Sequence, residues 1–327
     1  MFLTEPQDKL SRIAESIIRL SDYYIAQPDG GTPWNEKFCQ LAYIHYYLPL
    51  NQVRVSHVLK RGLEVNFFNG LTSFVDWGCG PGTASLAIAE NAELTAQITE
   101  QLLYDISATA LKNFRNLHKS LKNPQYTNDY DLNRHKNHKN SCLVLSYSLT
   151  EFQKLPSGWN LFEAIMILEP STSQDGRRLM TLRQELQHAG FTIWAPCTHQ
   201  LNCPLLTHSK ADWCHDRVKV EAPEWFDDLQ QLLPMKNNTI TTSYILARKT
   251  KPSENLQTKA RLTGDSLPEN GKTRQLICRG ENREFLTWMH KMISPQTIPR
   301  GDLIDLNFEF EVKSNELRLT KPIETKI

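Results

Sequence analysis

A glycine-rich stretch between a strand and a helix constrains this chain more than any other feature. Residues 72–77 form a strand-like apolar run, and residues 84–89 form an apolar helical run. The spacing between them is Asp-x-Gly-x-Gly-x-Gly, carried by Asp76, Gly78, Gly80 and Gly82. Glycine lets backbone approach a ligand closely, and free N–H groups at a helix start attract polar or anionic groups. The stretch therefore predicts a ligand-binding turn, with an ordinary tight turn as the alternative.

The spacing departs from the dinucleotide-binding pattern, in which the third glycine falls one residue later. It resembles motif I of class I S-adenosylmethionine methyltransferases, and the resemblance implies that Asp76, Gly78, Gly80 and Gly82 bind that cofactor. The next predicted strand, residues 101–105, ends in Asp105. An acid at this strand tip accepts hydrogen bonds from ribose hydroxyls in doubly wound sheets. The alternative role for Asp105 is to cap the helix that follows.

Strands and helices alternate through the middle of the chain. Predicted strands cover residues 141–148, 162–168, 191–195 and 239–247, and a helix covers 173–188. This order predicts an α/β, doubly wound, Rossmann-like sheet with helices on both faces. Because ligands bind at the carboxyl ends of parallel strands, Ser146 is expected beside the cofactor.

The remaining segments differ from this core in composition. We predict an N-terminal helical segment over 1–70, the methyltransferase-like core over 71–248, a linker over 249–275 and a small β-rich domain over 276–327. The small domain includes a predicted helix near 284–293. Within 248–275, seven Lys or Arg accompany three acids, so this segment is either a solvated connector or an RNA contact. The aromatic side chains of Tyr43, Tyr46 and Tyr47 either stack on bases or face the core.

Composition limits the class of protein. The net charge of +1 gives no general electrostatic attraction for nucleic acid, so any basic face must be local. No apolar run reaches membrane-spanning length, and the N-terminus lacks the features of a targeting signal. Seven cysteines, an odd number, favour a reducing compartment over a disulfide framework. We therefore expect a cytoplasmic protein without membrane contact.

Three cysteines lie close together in a loop insertion at 197–217, namely Cys197, Cys203 and Cys214. Three thiolates need a fourth ligand for a closed tetrahedral site or a cubane cluster. Cys278 is the sequence-distant candidate, and the alternatives are His199, His208 and His215. Accidental free thiols, or a catalytic Cys197 after Pro196, are the other interpretations. The cysteines in helix or core-strand contexts, Cys39, Cys79 and Cys142, are expected to be buried apolar residues.

Further motifs resemble a known family. They are Glu169-Pro170-Ser171-Thr172, Ala195-Pro196-Cys197-x-His199, Cys203-Pro204-Leu205 and Asp212-Trp213-Cys214-His215-x-Arg217, with Ser146 to Glu151 beside the cofactor. Together they are similar to the ribosomal small-subunit methyltransferase-like family, which has mitochondrial and bacterial members. The resemblance implies a 4Fe-4S cluster held by Cys197, Cys203, Cys214 and Cys278, with zinc as the alternative. It also implies the small ribosomal subunit, or its rRNA, as partner.

The implied function is S-adenosylmethionine-dependent methylation of small-subunit rRNA. In such a transfer the protein mainly positions donor and acceptor. No catalytic base is identified, and no Asn/Asp-Pro-Pro-aromatic motif is present. A non-catalytic assembly factor that keeps the cofactor pocket is therefore the first alternative. A small-molecule methyltransferase with structural zinc is the second.

Overall fold

The computed structural model describes residues 6, 8–27, 30–152, 154–235, 237–252 and 256–323. The α-helices are α1 (Leu10–Ala26), α2 (Lys37–Ala42), α3 (Leu48–Glu64), α4 (Thr83–Glu90), α5 (Ala92–Gln97), α6 (Ala108–Asn113), α7 (Leu149–Phe152), α8 (Ser173–His188), α9 (Pro204–Thr207) and α10 (Glu224–Gln231). A π-helical turn, Tyr43–Tyr47, joins α2 to α3. Among the described helices, none combines the length and the apolar character needed to cross a membrane.

The strands alternate with these helices and then follow one another. They are β1 (Ser73–Trp77), β2 (Glu100–Tyr104), β3 (Pro124–Thr127), β4 (Ser141–Ser146), β5 (Ala164–Glu169), β6 (Thr192–Ala195), β7 (Asp216–Lys219), β8 (Thr239–Arg248), β9 (Lys259–Glu269), β10 (Lys272–Cys278), β11 (Glu284–Met289), β12 (Leu303–Asp305), β13 (Phe310–Lys313) and β14 (Glu316–Leu319).

Contacts divide the chain into two compact units. The first consists of Met1–Leu63, Phe68–Glu169 and Val218–Ile240, and the second of Glu64–Phe67, Pro170–Arg217 and Thr241–Ile327. Each unit combines residues from more than one of the segments predicted with boundaries at 70, 248 and 275. The units are discontinuous because elements distant in sequence contact each other. The ends of the outer predicted segments, residues 1–5 and 324–327, lie outside the described residues.

Five parallel strands form the sheet of the first unit, in the order β3-β2-β1-β4-β5. The chain moves outward from β1 to β3 and then returns to pair β4 against the other side of β1. The strand order therefore reverses between β1 and β4, and doubly wound sheets bind ligands in the crevice at this point. The predicted fold class, a class I methyltransferase sheet with a β-rich C-terminal part, is confirmed.

The N-terminal helices pack on the first unit through their apolar faces. Ile13 and Ile17 of α1 are fully buried and share one cluster with Phe226 of α10. Tyr46 belongs to the same cluster and stacks on Phe226 with ring centroids 5.8 Å apart. Tyr46 therefore has the core role, whereas the half-buried Tyr43 packs against the edge of the cluster.

The second unit contains an antiparallel pair and a separate sheet. β6 runs antiparallel to β8, and six strands form the sheet β12-β9-β10-β11-β14-β13. Its core surrounds Trp288, whose side chain is fully buried among Leu286, Ile277 and Leu317.

Two predictions for this region are wrong. Residues 259–269 and 272–278, predicted mainly as linker, are β9 and β10, which pair with each other. The helix predicted near 284–293 is strand β11 up to Met289. β11 lies between β10 and β14, so its residues 285–288 are all buried. A short continuous apolar run of this kind does not distinguish a central strand from a buried helix.

Candidate functional site

The glycine turn follows the carboxyl end of β1, and its three glycines have a left-handed backbone conformation. Gly78, Gly80 and Gly82 have φ values of +70°, +52° and +77°, which other residues adopt only with strain. A Cβ on Gly82 would lie 2.5 Å from Nε2 of His118, and a Cβ on Gly78 would lie 2.8 Å from Cβ of Ser148. The turn therefore needs glycine both for its backbone angles and for close packing.

Asp105 fixes this turn to the end of β2. One carboxylate oxygen accepts a hydrogen bond from the Gly80 N–H at 2.7 Å, and the other accepts from the Ser107 N–H at 2.8 Å. Burial raises the pKa of Asp105, and the two backbone hydrogen bonds oppose that rise. A carboxylate has about four lone-pair sites, so Asp105 can still accept hydrogen bonds from a ligand. The residue that caps the following helix is Ser107 and not Asp105. The Ser107 side chain accepts a hydrogen bond from the Ala110 N–H.

A cleft opens over the turn. Its lining residues are Thr32, Trp34, Tyr43, Asn51, Gly78, Cys79, Gly80, Pro81, Thr83, Ala84, Asp105, Ser146, Tyr147, Ser148 and Glu151. Four of the predicted site residues, Gly78, Gly80, Asp105 and Ser146, therefore meet in one cleft. The other two, Asp76 and Gly82, are not among its lining residues.

Asp76 supports the turn from inside the protein. It is 1% exposed, and one carboxylate oxygen accepts hydrogen bonds from the backbone N–H and the hydroxyl of Ser85 at 3.2 and 2.8 Å. Its other oxygen is buried without a hydrogen-bond partner. Burial raises the pKa of Asp76 to about 6, although the Ser85 hydrogen bonds lower it. Asp76 thus ties β1 to α4 at the cost of burying a carboxylate.

We expect this buried carboxylate to make stability depend on pH. A folded-state pKa of about 6 exceeds the ordinary value of 3.8, so the contribution is complete below pH 3.8 and is lost as pH rises through 6. A two-unit shift corresponds to roughly 3 kcal/mol. In the Asp76→Asn variant, the free energy of unfolding measured with urea should depend less on pH between pH 4 and 6. The Asp228→Asn variant changes an exposed carboxylate and should keep the wild-type pH dependence. A wild-type slope retained in Asp76→Asn would contradict this origin.

Sequence reasoning missed the wall of the cleft that the N-terminal segment supplies. The Thr32 hydroxyl donates a hydrogen bond to the Glu151 carboxylate at 3.0 Å, and the Trp34 ring lies 3.0 Å from where a Cβ on Gly80 would be. Thr32 and Glu151 are 119 residues apart, so no local pattern relates them. Tyr147 lies in the segment 146–151 that was expected beside the cofactor and lines the cleft, and its φ of +59° is unusual for a bulky side chain.

The four predicted metal ligands meet in a second place, within the second unit. Cys197, Cys203, Cys214 and Cys278 line one pocket, together with Arg261 and His199. Cys278 ends β10 and pairs in register with Arg261 of β9, so the strand predicted as linker helps to form this pocket. Cys39, Cys79 and Cys142 are buried elsewhere, as predicted for apolar cysteines.

Arginine and histidine side chains contact three of the four thiols. Arg183 donates to the Cys197 sulfur at 3.2 Å, and Arg261 donates to the Cys214 sulfur at 2.8 Å. Nε2 of His199 lies 3.3 Å from the Cys278 sulfur. Arg261 is also paired with Asp216, and both side chains are at least 97% buried. Two buried cations therefore face sulfur atoms, which suits a site that holds thiolates.

The buried thiols would be protonated without a ligand. Burial raises the pKa of Cys203 to about 11 and also raises that of Cys278. Within the described ranges, no group of three or more His, Cys, Asp or Glu that could hold a metal ion is found. The donor set nevertheless fits a thiolate-bound centre, because the four sulfur atoms face one pocket and arginines can balance their charge.

The strand order and the glycine turn together define a class I methyltransferase fold. Residues 40–283 match the family described as "Mitochondrial small ribosomal subunit Rsm22". That match covers well over half of the chain, and the protein belongs to this family. No curated protein matches the chain significantly.

Three solved structures with similar folds are distant in sequence. A proposed RNA methyltransferase, PH1948 from Pyrococcus horikoshii, is 14% identical, with 60% of this chain and 84% of that chain covered and a TM-score of 0.37. Magnesium protoporphyrin IX methyltransferase from Synechocystis is 12% identical, with 74% and 100% covered and a TM-score of 0.33. The N-methyltransferase NodS from Bradyrhizobium japonicum is 11% identical, with 73% and 100% covered and a TM-score of 0.35. Scores this low support no functional argument.

Proposed function

We propose that the protein binds S-adenosylmethionine in the cleft over the glycine turn and methylates rRNA of the small ribosomal subunit. The observation that carries this proposal is the hydrogen bond between the Gly80 N–H and Asp105 at 2.7 Å. It joins the turn after β1 to the acid after β2, and β1 is one of the two strands between which the strand order reverses. Family membership supports the small subunit as partner.

The chain's own residues would bind and orient the cofactor. Asp105 has acceptor capacity left for ribose hydroxyls, and the turn at Gly78 and Gly80 lets backbone approach the ligand. Ser146 and Tyr147 bring the end of β4 to the opposite side of the cleft. S-adenosylmethionine would supply the methyl group. What the protein contributes is orientation of donor and acceptor, which is a large part of such a rate enhancement.

Removing the Asp105 carboxylate should weaken cofactor binding. In Asp105→Ala, the ribose loses an ionised acceptor and the Gly80 N–H loses its partner, so we expect a loss of about 1.5–3 kcal/mol. Isothermal titration with S-adenosylmethionine would measure it. The matched control is Asp129→Ala, which removes an exposed carboxylate after β3 and should leave the affinity unchanged. Equal affinities for both variants and the wild type would remove Asp105 from the site.

A second candidate function is an assembly factor that binds the cofactor without transferring its methyl group. Both carboxylates that line the cleft already accept hydrogen bonds from the protein, Asp105 from Gly80 and Ser107 and Glu151 from Thr32. Each of the two therefore has a structural role in the cleft. Incubating small subunits from a deletion strain with radiolabelled S-adenosylmethionine separates the two candidates. Label in rRNA supports the enzyme, and cofactor binding without label supports the assembly factor.

For the thiol pocket, we propose a 4Fe-4S cluster held by Cys197, Cys203, Cys214 and Cys278. The convergence of these four thiols in one pocket supports it, as does the contact of Arg183 and Arg261 with two of the sulfur atoms. Zinc is the alternative occupant. Elemental analysis of anaerobically purified protein distinguishes iron and labile sulfide from zinc. A pocket that takes up neither would contradict both assignments.

A further inference from the structure

The cations predicted to contact RNA at 248–275 are mostly engaged within the protein. Arg248 donates to the Phe67 carbonyl at 2.7 Å, and Arg261 is buried against Asp216. Lys272 and Arg274 are paired with the carboxylates of Glu269 and Glu316. A surface that must neutralise phosphates needs exposed cations without internal partners. This region is therefore a poor contact surface for a polyanion.

Another part of the chain concentrates exposed positive charge. Residues 106–140, here called the basic segment, contain seven Lys or Arg and two acids, a net charge of +5 in a chain whose total is +1. The seven cations are Lys112, Arg115, Lys119, Lys122, Arg134, Lys136 and Lys139, and all are exposed. Two of them have partners within the protein, because Lys122 donates to the Thr95 carbonyl and Arg134 pairs with Asp131 at 3.4 Å. No acid occurs between Asp105 and Asp129. The basic segment therefore presents charge of one sign over 23 consecutive residues.

The fold connects the basic segment to the cofactor cleft. The segment follows β2 after Asp105 and forms α6 and then a 3-10 helix, Arg115–Ser120. It continues into β3, the outer strand of the first unit's parallel sheet. His118, in the middle of the segment, is 4% exposed. Its Nε2 donates to the carbonyl of Pro81 in the glycine turn at 2.8 Å, and its Nδ1 accepts from the Tyr126 hydroxyl at 3.0 Å. A buried hydrogen bond thus fixes the cationic surface to the turn.

The exposed side chains of this surface suit a nucleic acid better than a protein. Protein interfaces have an apolar core with few charges. Within 106–140, all of which the structure describes, Ile106 is the one exposed large hydrophobic residue. The Arg115 guanidinium lies over the Tyr126 ring at 4.3 Å, and that ring stacks on His118. The guanidinium is therefore held in place on the surface, where its N–H groups can reach phosphate oxygens.

We propose that the basic segment binds the phosphodiester backbone of the RNA whose nucleotide enters the cofactor cleft. This inference rests on the proposed function for the nature of the acceptor. The segment positions the RNA and does not specify its sequence, since phosphate contacts carry no base information. Affinity should then depend on salt, with a slope of roughly 0.7 per phosphate contact on a single strand.

The test compares two triple variants of the full chain that remove equal charge. One carries Lys112→Gln, Arg115→Gln and Lys119→Gln. The control carries Lys251→Gln, Lys291→Gln and Lys313→Gln, all exposed in the second unit. Fluorescence anisotropy with a short labelled single-stranded RNA is measured over a salt series. The first variant should lower the salt slope by on the order of two units, and the control should leave it unchanged.

Three outcomes would overturn the proposal. They are an unchanged slope in the basic-segment variant, an equal loss in the control, and equal competition by polyglutamate, which would indicate an acidic protein partner. Calorimetry with S-adenosylmethionine separates this proposal from the proposed function. One result is that the wild type fails to bind the cofactor while only the basic-segment variant loses affinity for RNA. That result would support the RNA-binding surface and contradict the methyltransferase assignment.

Discussion

The Cys278→Ser variant is expected to lose the proposed metal centre and, with it, much of the stability of the second unit. Cys278 is the proposed ligand most distant in sequence, and it lies at the end of β10. The other three thiols of the pocket come from residues 197–214. Metal binding at a comparable structural zinc site contributes on the order of 10 kcal/mol to the free energy of folding. A centre that joins such distant parts of the chain also restricts the unfolded chain, which adds to the stabilisation in principle.

The measurements are iron and sulfide content, thermal unfolding and limited proteolysis within 248–275. The control is Cys39→Ser, the same change at a fully buried cysteine of the first unit outside the pocket. Cys39→Ser should keep its iron, and Cys278→Ser should keep binding S-adenosylmethionine in the glycine cleft. If Cys278→Ser retains a full complement of metal and resists cleavage like the wild type, Cys278 is not a ligand. His199, at 3.3 Å from its sulfur, then becomes the better choice.

The second large effect is expected at the buried ion pair beneath the thiol pocket. Asp216 is fully buried and pairs with Arg261, which is 3% exposed and also contacts the Cys214 sulfur. Asp216→Ala removes the carboxylate and leaves the Arg261 guanidinium buried without its carboxylate partner. Breaking a buried pair in this way costs about 3–5 kcal/mol. We therefore expect Asp216→Ala to unfold at much lower urea concentration than the wild type.

An exposed pair in the same unit provides the matched control. Arg217 and Asp265 are paired at 2.9 Å, but each side chain is nearly half exposed. Exposed pairs contribute about 0–1 kcal/mol, so Asp265→Ala should be close to wild type. Replacing both buried partners, in Arg261→Met with Asp216→Leu, should recover part of the loss, because no charge then stays buried. Similar losses for Asp216→Ala and Asp265→Ala would show that burial does not set the effect.

Local patterns predicted the part of the site that is local. The strand, glycine turn and helix at 72–89 follow from spacing within one short stretch, and Asp105 follows from the length of a β-α-β unit. The wall supplied by Thr32 and Trp34 could not be predicted, because it depends on a hydrogen bond across 119 residues. Contacts between aromatic rings give no sequence signal either, so the tilted contact of Trp34 with Tyr43, with ring centroids 4.5 Å apart, could not be predicted.

The second unit shows a different limit. The cysteine spacing and the family resemblance identified four thiols that the structure brings together, but composition obscured the strands that carry one of them. β9 begins with Lys259 and contains Arg261, Gly264 and Pro268, which favour a loop when considered singly. Pairing with β10 overrides those preferences, since strand propensity depends strongly on neighbouring strands. The buried partners of Arg261 appear only after that pairing is known.

The discontinuous first unit has a consequence for synthesis on the ribosome. Ile13 and Ile17 emerge first, yet the cluster that buries them includes Phe226 and Leu229 of α10. The apolar faces of the N-terminal helices can therefore be covered completely only after about two hundred more residues have been made. By then residues 170–217 of the second unit have also left the ribosome. Because exposed apolar surface promotes aggregation during folding, this chain should depend on chaperones between the emergence of α1 and that of α10.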